Sequence, residues 1–424
     1  MISIQLIRDN APYVKERLAI KNFSQPQLVD EILSLDESRR KLQQELDNTL
    51  NHMNLSAKAI GGLMRDGKKA EAEVMKAEVA ILKEKEKELK EQVALLEKKQ
   101  FDTLVLLPNL PTALVPAGKS PEDNEVLLET ANKPSLYEGA VPHWELIKTY
   151  DLIDFETGAK ITGSGFPLYK GKGAKLQRAL VNYFLDFNTS AGYTEYIPPY
   201  MVNAESAFAT GQLPDKEGQM YYMPEDNFYM IPTAEVPVTN IYRDTIIKET
   251  DLPLKMTAYS HCFRREAGSF GSQVRGLNRV HEFEKVEIIQ IVHPEKSETA
   301  FNEMIEHVSA LLNSLQLPFR ILRLCGGDMG FASAITYDFE VWSAAQQRWL
   351  EVSSVSNFET FQTNRMKCRF KNEGGKTQLC HTLNGSALAL PRILAALLEN
   401  NQTAEKIVLP GVLHEYFGSA SIVK

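Results

Sequence analysis

Long apolar runs are missing from this chain of 424 residues. None approaches the roughly 20 residues of a membrane-spanning helix, so no membrane partner is expected. The first ten residues, MISIQLIRDN, carry Asp9 and no long apolar core, so no secretory signal is expected. Cysteine is scarce. Cys262, Cys325, Cys368 and Cys380 are widely spaced, with no CxxC pair or finger spacing, so zinc is not expected. Few, scattered thiols fit a reducing cytoplasm. An excess of basic residues is also missing. The net charge is −8, whereas a dedicated nucleic-acid binder is usually basic. A local basic stripe on an acidic body stays compatible with RNA, because only the field at the docking surface must be positive. The nucleotide fingerprints GxGxxG and GxxxxGK[ST] do not occur, which argues against Rossmann and P-loop folds.

The remaining composition, 43% hydrophobic and 24% charged, is that of a globular protein, and the length predicts two domains. Residues 27–100 differ in kind from the rest. Leu28, Ile32, Leu35, Arg39, Leu42, Leu46, Thr49, Met53, Ser56, Ile60 and Leu63 follow a 4,3 spacing. After a break at Gly61-Gly62 and Asp66-Gly67, the spacing resumes with Met75, Val79, Leu82, Glu86, Leu89, Val93, Leu96 and Gln100. This is the heptad pattern of a coiled coil. Two such helices joined by a short turn must lie antiparallel, each on the order of 50 Å long at 1.5 Å per residue. The apolar stripe is narrower than that of a helix in a globular bundle, so a protruding hairpin is expected.

Residues 1–26 should hold a short strand or turn and one helix, with Asp9 or Asn10 as its N-cap. Pro108, Pro111, Pro116, Pro121, Pro134 and Pro142 mark a boundary after the hairpin. Domains are therefore expected at 1–105 and 106–424. Beyond the boundary, helices are expected near 172–191, 295–315 and 386–400. Strands are expected at 229–232, 258–265, 279–292, 320–324, 335–342 and 348–355. Clustered strands with few intervening helices give an α+β domain, an antiparallel sheet flanked by helices.

The most informative stretch is 261–287, HCFRREAGSFGSQVRGLNRVHEFEKVE. It reads as a strand through Phe263-Arg264-Arg265-Glu266, a loop bearing Gly268, Gly271 and Gly276, and a second strand from about Arg279. Alternation puts Arg264 and Glu266 on one face, and His281, Phe283, Lys285 and Glu287 on one face. Such a surface suits a nucleotide: arginine grips phosphate, an aromatic face stacks a base, and a carboxylate takes an amino or ammonium group. Alternation alone leaves a solvated charged hairpin as an equal reading.

Resemblance breaks the tie. Phe263-Arg264-x-Glu266, a loop and Arg279-x-x-x-Phe283 resemble motif 2 of the class II aminoacyl-tRNA synthetases. Glu266-Ala267-Gly268-Ser269 and Arg275-Gly276-Leu277 resemble the bacterial-type seryl-tRNA synthetases in particular. Residues 192–201, GYTEYIPPYM, resemble motif 1, with Pro199 as its proline. Ile231-Pro232-Thr233-Ala234-Glu235 is similar to the family's serine-binding loop, and Glu351-Val352-Ser353-Ser354 to its ATP- and metal-meeting segment. Residues 384–392, NGSALALPR, resemble motif 3, with Leu390 and Pro391 departing from the glycine-richer pattern. Residues 336–342 and 348–354 alternate as a hairpin, which puts Glu351 and Ser353 on one face and Leu350 and Val352 on the other.

The resemblance covers essentially the whole chain. It implies ATP-dependent activation of L-serine to seryl-adenylate, then transfer to tRNA(Ser), leaving tRNA(Sec) open as a second substrate. Arg264 and Arg392 would be catalytic. Arg264, Arg265, Glu266, Phe283, residues 351–354 and Arg392 would bind ATP. Thr233, Ala234, Glu235, Arg264, Glu287, Asn384 and Ser386 would bind serine. Glu351 and Ser354 would meet Mg2+ through ATP. The hairpin would dock tRNA, motif 1 around Pro199 would make a homodimer, and the location would be cytoplasmic. Two rivals are a ligase loading serine onto another carrier and a coiled-coil adaptor with an inactive synthetase domain. The intact hairpin argues against the first, and the presence of both arginines and every proposed serine contact argues against the second.

Overall fold

The computed structural model describes residues 1–215, 218–266 and 275–424. Two compact units divide the chain. One holds residues 2–19 and 23–108; the other holds residue 1, residues 20–22 and residues 109–424.

The first unit is helical. Where a strand or turn was expected, α1 (Ile4–Asp9) forms, with the Ser3 hydroxyl accepting the Gln5 N–H. Next comes α2 (Ala11–Ile20), at whose start Asn10 Oδ1 accepts the Tyr13 N–H at 3.2 Å. The hairpin consists of α3 (Leu28–Arg65) and α4 (Lys69–Leu104). Its 38 and 36 residues give arms of about 55 Å at the helical rise. Every heptad position named above is buried or half-buried. Gly61 and Gly62 lie inside α3 rather than in the turn. Each weakens a helix by about 1 kcal/mol relative to alanine, which the paired arms tolerate. The turn is Asp66–Lys68, where Gly67 takes φ +76°. One buried acid falls outside the heptads. Asp36 accepts bonds from Arg8 (2.6 and 2.8 Å), Arg40 (3.0 Å) and, across the hairpin, Gln100 (3.2 Å).

The second unit is built on an eight-stranded sheet. Its strands are β1 (Glu125–Glu129), β2 (Thr194–Tyr196), β3 (Leu254–Phe263), β4 (Glu282–Val292), β5 (Phe319–Arg323), β6 (Ile335–Ser343), β7 (Arg348–Glu359) and β8 (His381–Ala389). Their order is β1-β5-β6-β7-β8-β4-β3-β2. All neighbours are antiparallel except β2 and β3. Helices α5 (His143–Thr149), α6 (Gly171–Ser190), α7 (Ser297–Ser314) and α8 (Leu390–Asn400) join it in one apolar cluster. Val286 and Ile288 of β4, Leu383 and Ala387 of β8, and Phe339 of β6 point into that cluster. Each large side chain buried this way contributes about 1.5–3 kcal/mol. The alternate residues, Lys285 and Glu287 on β4 and Asn384 and Ser386 on β8, are thereby turned to the opposite face.

The proline-rich segment contains β1, an exposed edge strand. Two expectations need correcting. The helix expected from 386 starts at Leu390; residues 381–389 form a central strand instead. The strand expected to run through Glu266 ends at Phe263, and Glu266 adopts φ +49°, so alternation does not extend to it. The glycine loop at 267–274, with Ala267, Gly268, Ser269 and Gly271, lies outside the described residues. Among the described residues, no helix is long and apolar enough to cross a membrane.

Candidate active site

A cavity of about 490 Å3 opens on the sheet face opposite the apolar cluster. Several separate segments line it: the 233–235 loop, the residues just past β3, the 277–280 segment, β4, β7, and β8 with the start of α8, together with Gln212 and Gly330. One end is a set of buried carboxylates and amides. The other is a shelf of arginines around an aromatic ring.

At the carboxylate end, the Thr233 hydroxyl donates to Glu287 at 3.2 Å and accepts the Glu235 N–H at 3.2 Å. The Asn384 side-chain amide donates to Glu235 at 2.8 Å and to Glu287 at 3.2 Å. Gln362 donates to the second oxygen of Glu235 at 2.6 Å, and Lys285 pairs with Glu287 at 2.5 Å. Glu235 is 6% exposed and Glu287 1%. Burial first and the charge of Glu287 second push the Glu235 carboxyl up to about 7. Burial also raises Glu287, against the pull of Lys285 and Thr233. Two buried acids whose carboxyls stay raised despite the pull of Lys285 and Arg264 form a site short of positive charge.

At the other end, the Arg264 guanidinium lies 5.2 Å over the Phe283 ring while its Nε donates to the Pro232 carbonyl at 3.3 Å. Arg392 donates through Nε to the Asn278 carbonyl at 3.0 Å and through a terminal nitrogen to the Glu351 carbonyl at 2.8 Å. Arg279 pairs with Glu266. These cations and the ring face one space, a geometry suited to a phosphorylated aromatic ligand.

Leu350 and Val352 both pack in the apolar cluster, as expected, but the β6–β7 pairing corrects the face expected for Ser353. Glu340 pairs with Glu351 and Phe339 with Ser353, so Val352 is an extra residue, a β-bulge. Ser353 thus shares the side of the buried Phe339, and its hydroxyl donates to the Ser386 carbonyl at 2.6 Å. Ser354 instead pairs with Asp338, placing Glu351, Ser354 and Asp338 on one face. Asp338 Oδ1 is buried without a hydrogen-bond partner. Burial first and Glu351 second push its carboxyl well above the usual range. Oxygen donors beside an orphaned carboxylate oxygen fit a hard divalent cation. Among the described residues, no group of three or more His, Cys, Asp or Glu is arranged to hold a metal alone, so such an ion would need ligand oxygens as well.

Of the residues singled out in the sequence, Arg264, Glu266, Phe283, residues 351–354, Arg392, Thr233, Glu235, Glu287, Asn384 and Ser386 all border this one cavity. Two stand apart. Arg265 turns toward Tyr221, 5.0 Å from its ring, and donates to the Met220 carbonyl. The Ala234 side chain packs in a separate apolar cluster. Sequence reasoning missed Gln362, Asp338 and Asn278. Asp338 alone carried a signal, as an acid on a strictly alternating strand beside the Glu-x-Ser-Ser strand.

An antiparallel sheet carrying an arginine–aromatic shelf, closed by a second arginine at a helix start, defines a class II aminoacyl-tRNA synthetase core. Accordingly, residues 221–401 match the model of the tRNA synthetase class II core domain (G, H, P, S and T), and residues 1–111 match the seryl-tRNA synthetase N-terminal domain. The serine--tRNA ligase of Salinibacter ruber is 50% identical over 100% of this chain and 99% of its own. That of Methylacidiphilum infernorum is 45% identical over 98% and 99%. A crystal structure of seryl-tRNA synthetase from Pyrococcus horikoshii complexed with ATP superposes with TM-score 0.93 at 32% identity, covering 100% of this chain and 99% of that one. The chain belongs to the seryl-tRNA synthetase family.

Proposed function

We propose that this enzyme activates L-serine with ATP and transfers it to serine tRNA. The observation that carries this reading is the junction, in one cavity, of a cation-seeking carboxylate pocket and an arginine–phenylalanine shelf. The serine ammonium would sit among Thr233, Glu235 and Glu287, with Asn384 and Ser386 closing the pocket. Reading the serine hydroxyl through a polar partner would reject alanine, because that partner would otherwise be left unpaired. Adenine would stack on Phe283, its amino group on Glu266. Arg264 would reach the α-phosphate and serine carboxylate, and Arg392 the γ-phosphate. The turned-away side chain of Arg265 gives no support to a direct ATP contact.

A serine carboxylate oxygen attacks the α-phosphorus, and the bond to the bridging oxygen breaks to release pyrophosphate. The terminal ribose hydroxyl of tRNA then attacks the adenylate carbonyl. AMP leaves, and the hydroxyl proton passes to its phosphate or to solvent. No protein nucleophile is needed. Arg264 and Arg392 orient the triphosphate and neutralise developing charge. Glu351 and Ser354, backed by Asp338, would hold a magnesium ion, which adds further neutralisation of the phosphates when bound.

The α3–α4 hairpin would dock the tRNA, making residues 1–105 the tRNA-binding domain and 106–424 the catalytic one. A homodimer through the edge strand β2 and Pro199, and a cytoplasmic location, complete the proposal. Ile197, beside that strand, is 85% exposed, as an interface residue in a lone chain would be. ATP–pyrophosphate exchange run with each amino acid tests the reading. Serine-dependent exchange with charging of serine tRNA is expected. Exchange without charging would favour another carrier, and no exchange an inactive domain.

A further inference from the structure

Arg392 is held by something other than its own helix. Its Nε donates to the carbonyl of Asn278, in the short turn Gly276–Asn278. That turn is tied to a buried polar network outside the cavity. His143, at the start of α5, and Glu399, near the end of the helix that Arg392 opens, are both fully buried. Glu399 Oε1 accepts the His143 backbone N–H at 2.9 Å and its Nδ1–H at 2.7 Å. Gln346 donates to the same oxygen at 2.9 Å, and the Ser343 hydroxyl donates to the other. On the far side of the ring, His143 Nε2 lies 2.9 Å from the Leu277 backbone nitrogen.

A backbone N–H can only donate, so Nε2 carries no proton. Nδ1, which faces the Glu399 carboxylate, is the donor, Nε2 is the acceptor, and the orientation of the ring is set from both ends. A second line runs in parallel: Gln346 Oε1 accepts from the Asn278 side chain at 2.8 Å. Gly276 takes φ +65°, and a Cβ there would lie 2.4 Å from His143 Nε2, so the turn is shaped around the imidazole. Burial works to raise the Glu399 carboxyl, yet the bonds from His143 and Ser343 hold it below its ordinary value. A fully buried carboxylate satisfied by four donors is a demanding arrangement for packing alone, since apolar residues of the same volume would fill the space without desolvating a charge.

We propose that His143 and Glu399 form a positioning device: Glu399 orients the imidazole, the imidazole holds the Leu277 N–H, and the turn so fixed presents the Asn278 carbonyl to Arg392. Neither residue borders the cavity, so both act through Arg392 and the segment that returns to Phe283. The inference rests on the reading of Arg392 as an ATP-gripping residue.

The test is ATP–pyrophosphate exchange by the full chain, with the KM for ATP and for serine measured separately. In His143→Asn the amide occupies the place of Nδ1, keeping the bond to Glu399 and losing the acceptor for Leu277. In His143→Gln the amide oxygen reaches the place of Nε2 and restores that acceptor. The expected result is an ATP KM raised about tenfold or more in H143N, within about threefold of the parent in H143Q, with the serine KM within about twofold in both. Equal effects of the two variants, or a serine KM rising in step with that for ATP, would show a core histidine only and overturn the proposal. Gln346 is half-buried, so Gln346→Met gives a second arm should the histidine variants not fold. A rise of about threefold in the ATP KM supports the network; an unchanged value overturns it. Parent enzyme that shows no serine-dependent exchange would instead remove the underlying reading, and this inference with it.

Discussion

Glu235 and Glu287 share a single amide: Asn384 donates to both buried carboxylates, at 2.8 and 3.2 Å. With the Glu235 carboxyl pushed up to about 7 by burial and by Glu287, an ammonium arriving beside the two acids competes with a proton on Glu235. The serine KM should therefore rise as pH falls below about 7, approaching tenfold per pH unit. The ATP KM should change less. Exchange assays between about pH 5.5 and 8.5 measure both, and a flat serine profile would remove Glu235 from the ammonium site.

The same group makes a stability prediction. Its folded-state value lies above the ordinary 4.5, so the folded protein binds the extra proton. The neutral form favours folding below about pH 4.5, and that contribution is lost as pH rises through about 7. Glu235→Gln should thus be more stable than the parent at pH 8, by about 1–2 kcal/mol. Titration alone would give about 3 kcal/mol, but the new amide must turn a donor toward Asn384 or Gln362. At about pH 4.5 the gain should vanish, and serine activation should be severely reduced at every pH. Equal melting temperatures of variant and parent at pH 8 would contradict the raised carboxyl.

The heptads and the charged face of β4 were legible because each depends on local periodicity alone. The site's remaining partners were not. Residues 381–389 lie between two strands and are buried on both faces. HTLNGSALA therefore shows no polar–apolar alternation, and its alanines and leucines read on into α8. The Val352 bulge reverses the order of Ser353 and Ser354 without any sequence mark. Asn278, Gln346, His143 and Glu399 meet only through tertiary folding. Each looks, in its own segment, like an ordinary surface polar residue.

Asp338 stands opposite Ser354 with one oxygen unpartnered, beside the proposed magnesium donors. Asp338→Asn should raise the magnesium concentration for half-maximal exchange about three- to tenfold, because it weakens the field that holds the ion. The rate at saturating magnesium should fall less. Chelation with EDTA should stop exchange in both proteins. An unchanged magnesium dependence in D338N would leave Asp338 a structural acid.

Arg392 has only a partly exposed side chain and an ion pair of 3.4 Å to Glu351, a pair that contributes little to stability. Arg392→Ala should fold normally and lower adenylate formation by about 100- to 1,000-fold, the loss seen when one donor to developing charge is removed. Arg264→Ala should do the same. Near-normal exchange by R392A would refute the phosphate contact and with it the significance of the Asn278 carbonyl.

The hairpin is separable in principle. Asp36 of α3 and Gln100 of α4 are hydrogen-bonded at 3.2 Å, so the two arms return to one place and can be replaced by a short linker. Deleting residues 30–98 should leave serine-dependent ATP–pyrophosphate exchange close to that of the full chain, since every residue assigned to the cavity lies beyond position 200. Charging of serine tRNA should collapse. RNA helices are recognised mainly by shape and by backbone contacts, and such contacts weaken with salt. Charging by the full chain should accordingly fall as salt rises, while exchange changes less. A truncated protein that charges serine tRNA as efficiently as the parent would show that the hairpin is not the docking element. Its Lys- and Glu-rich outer positions would then be only the solvated face of a coiled coil.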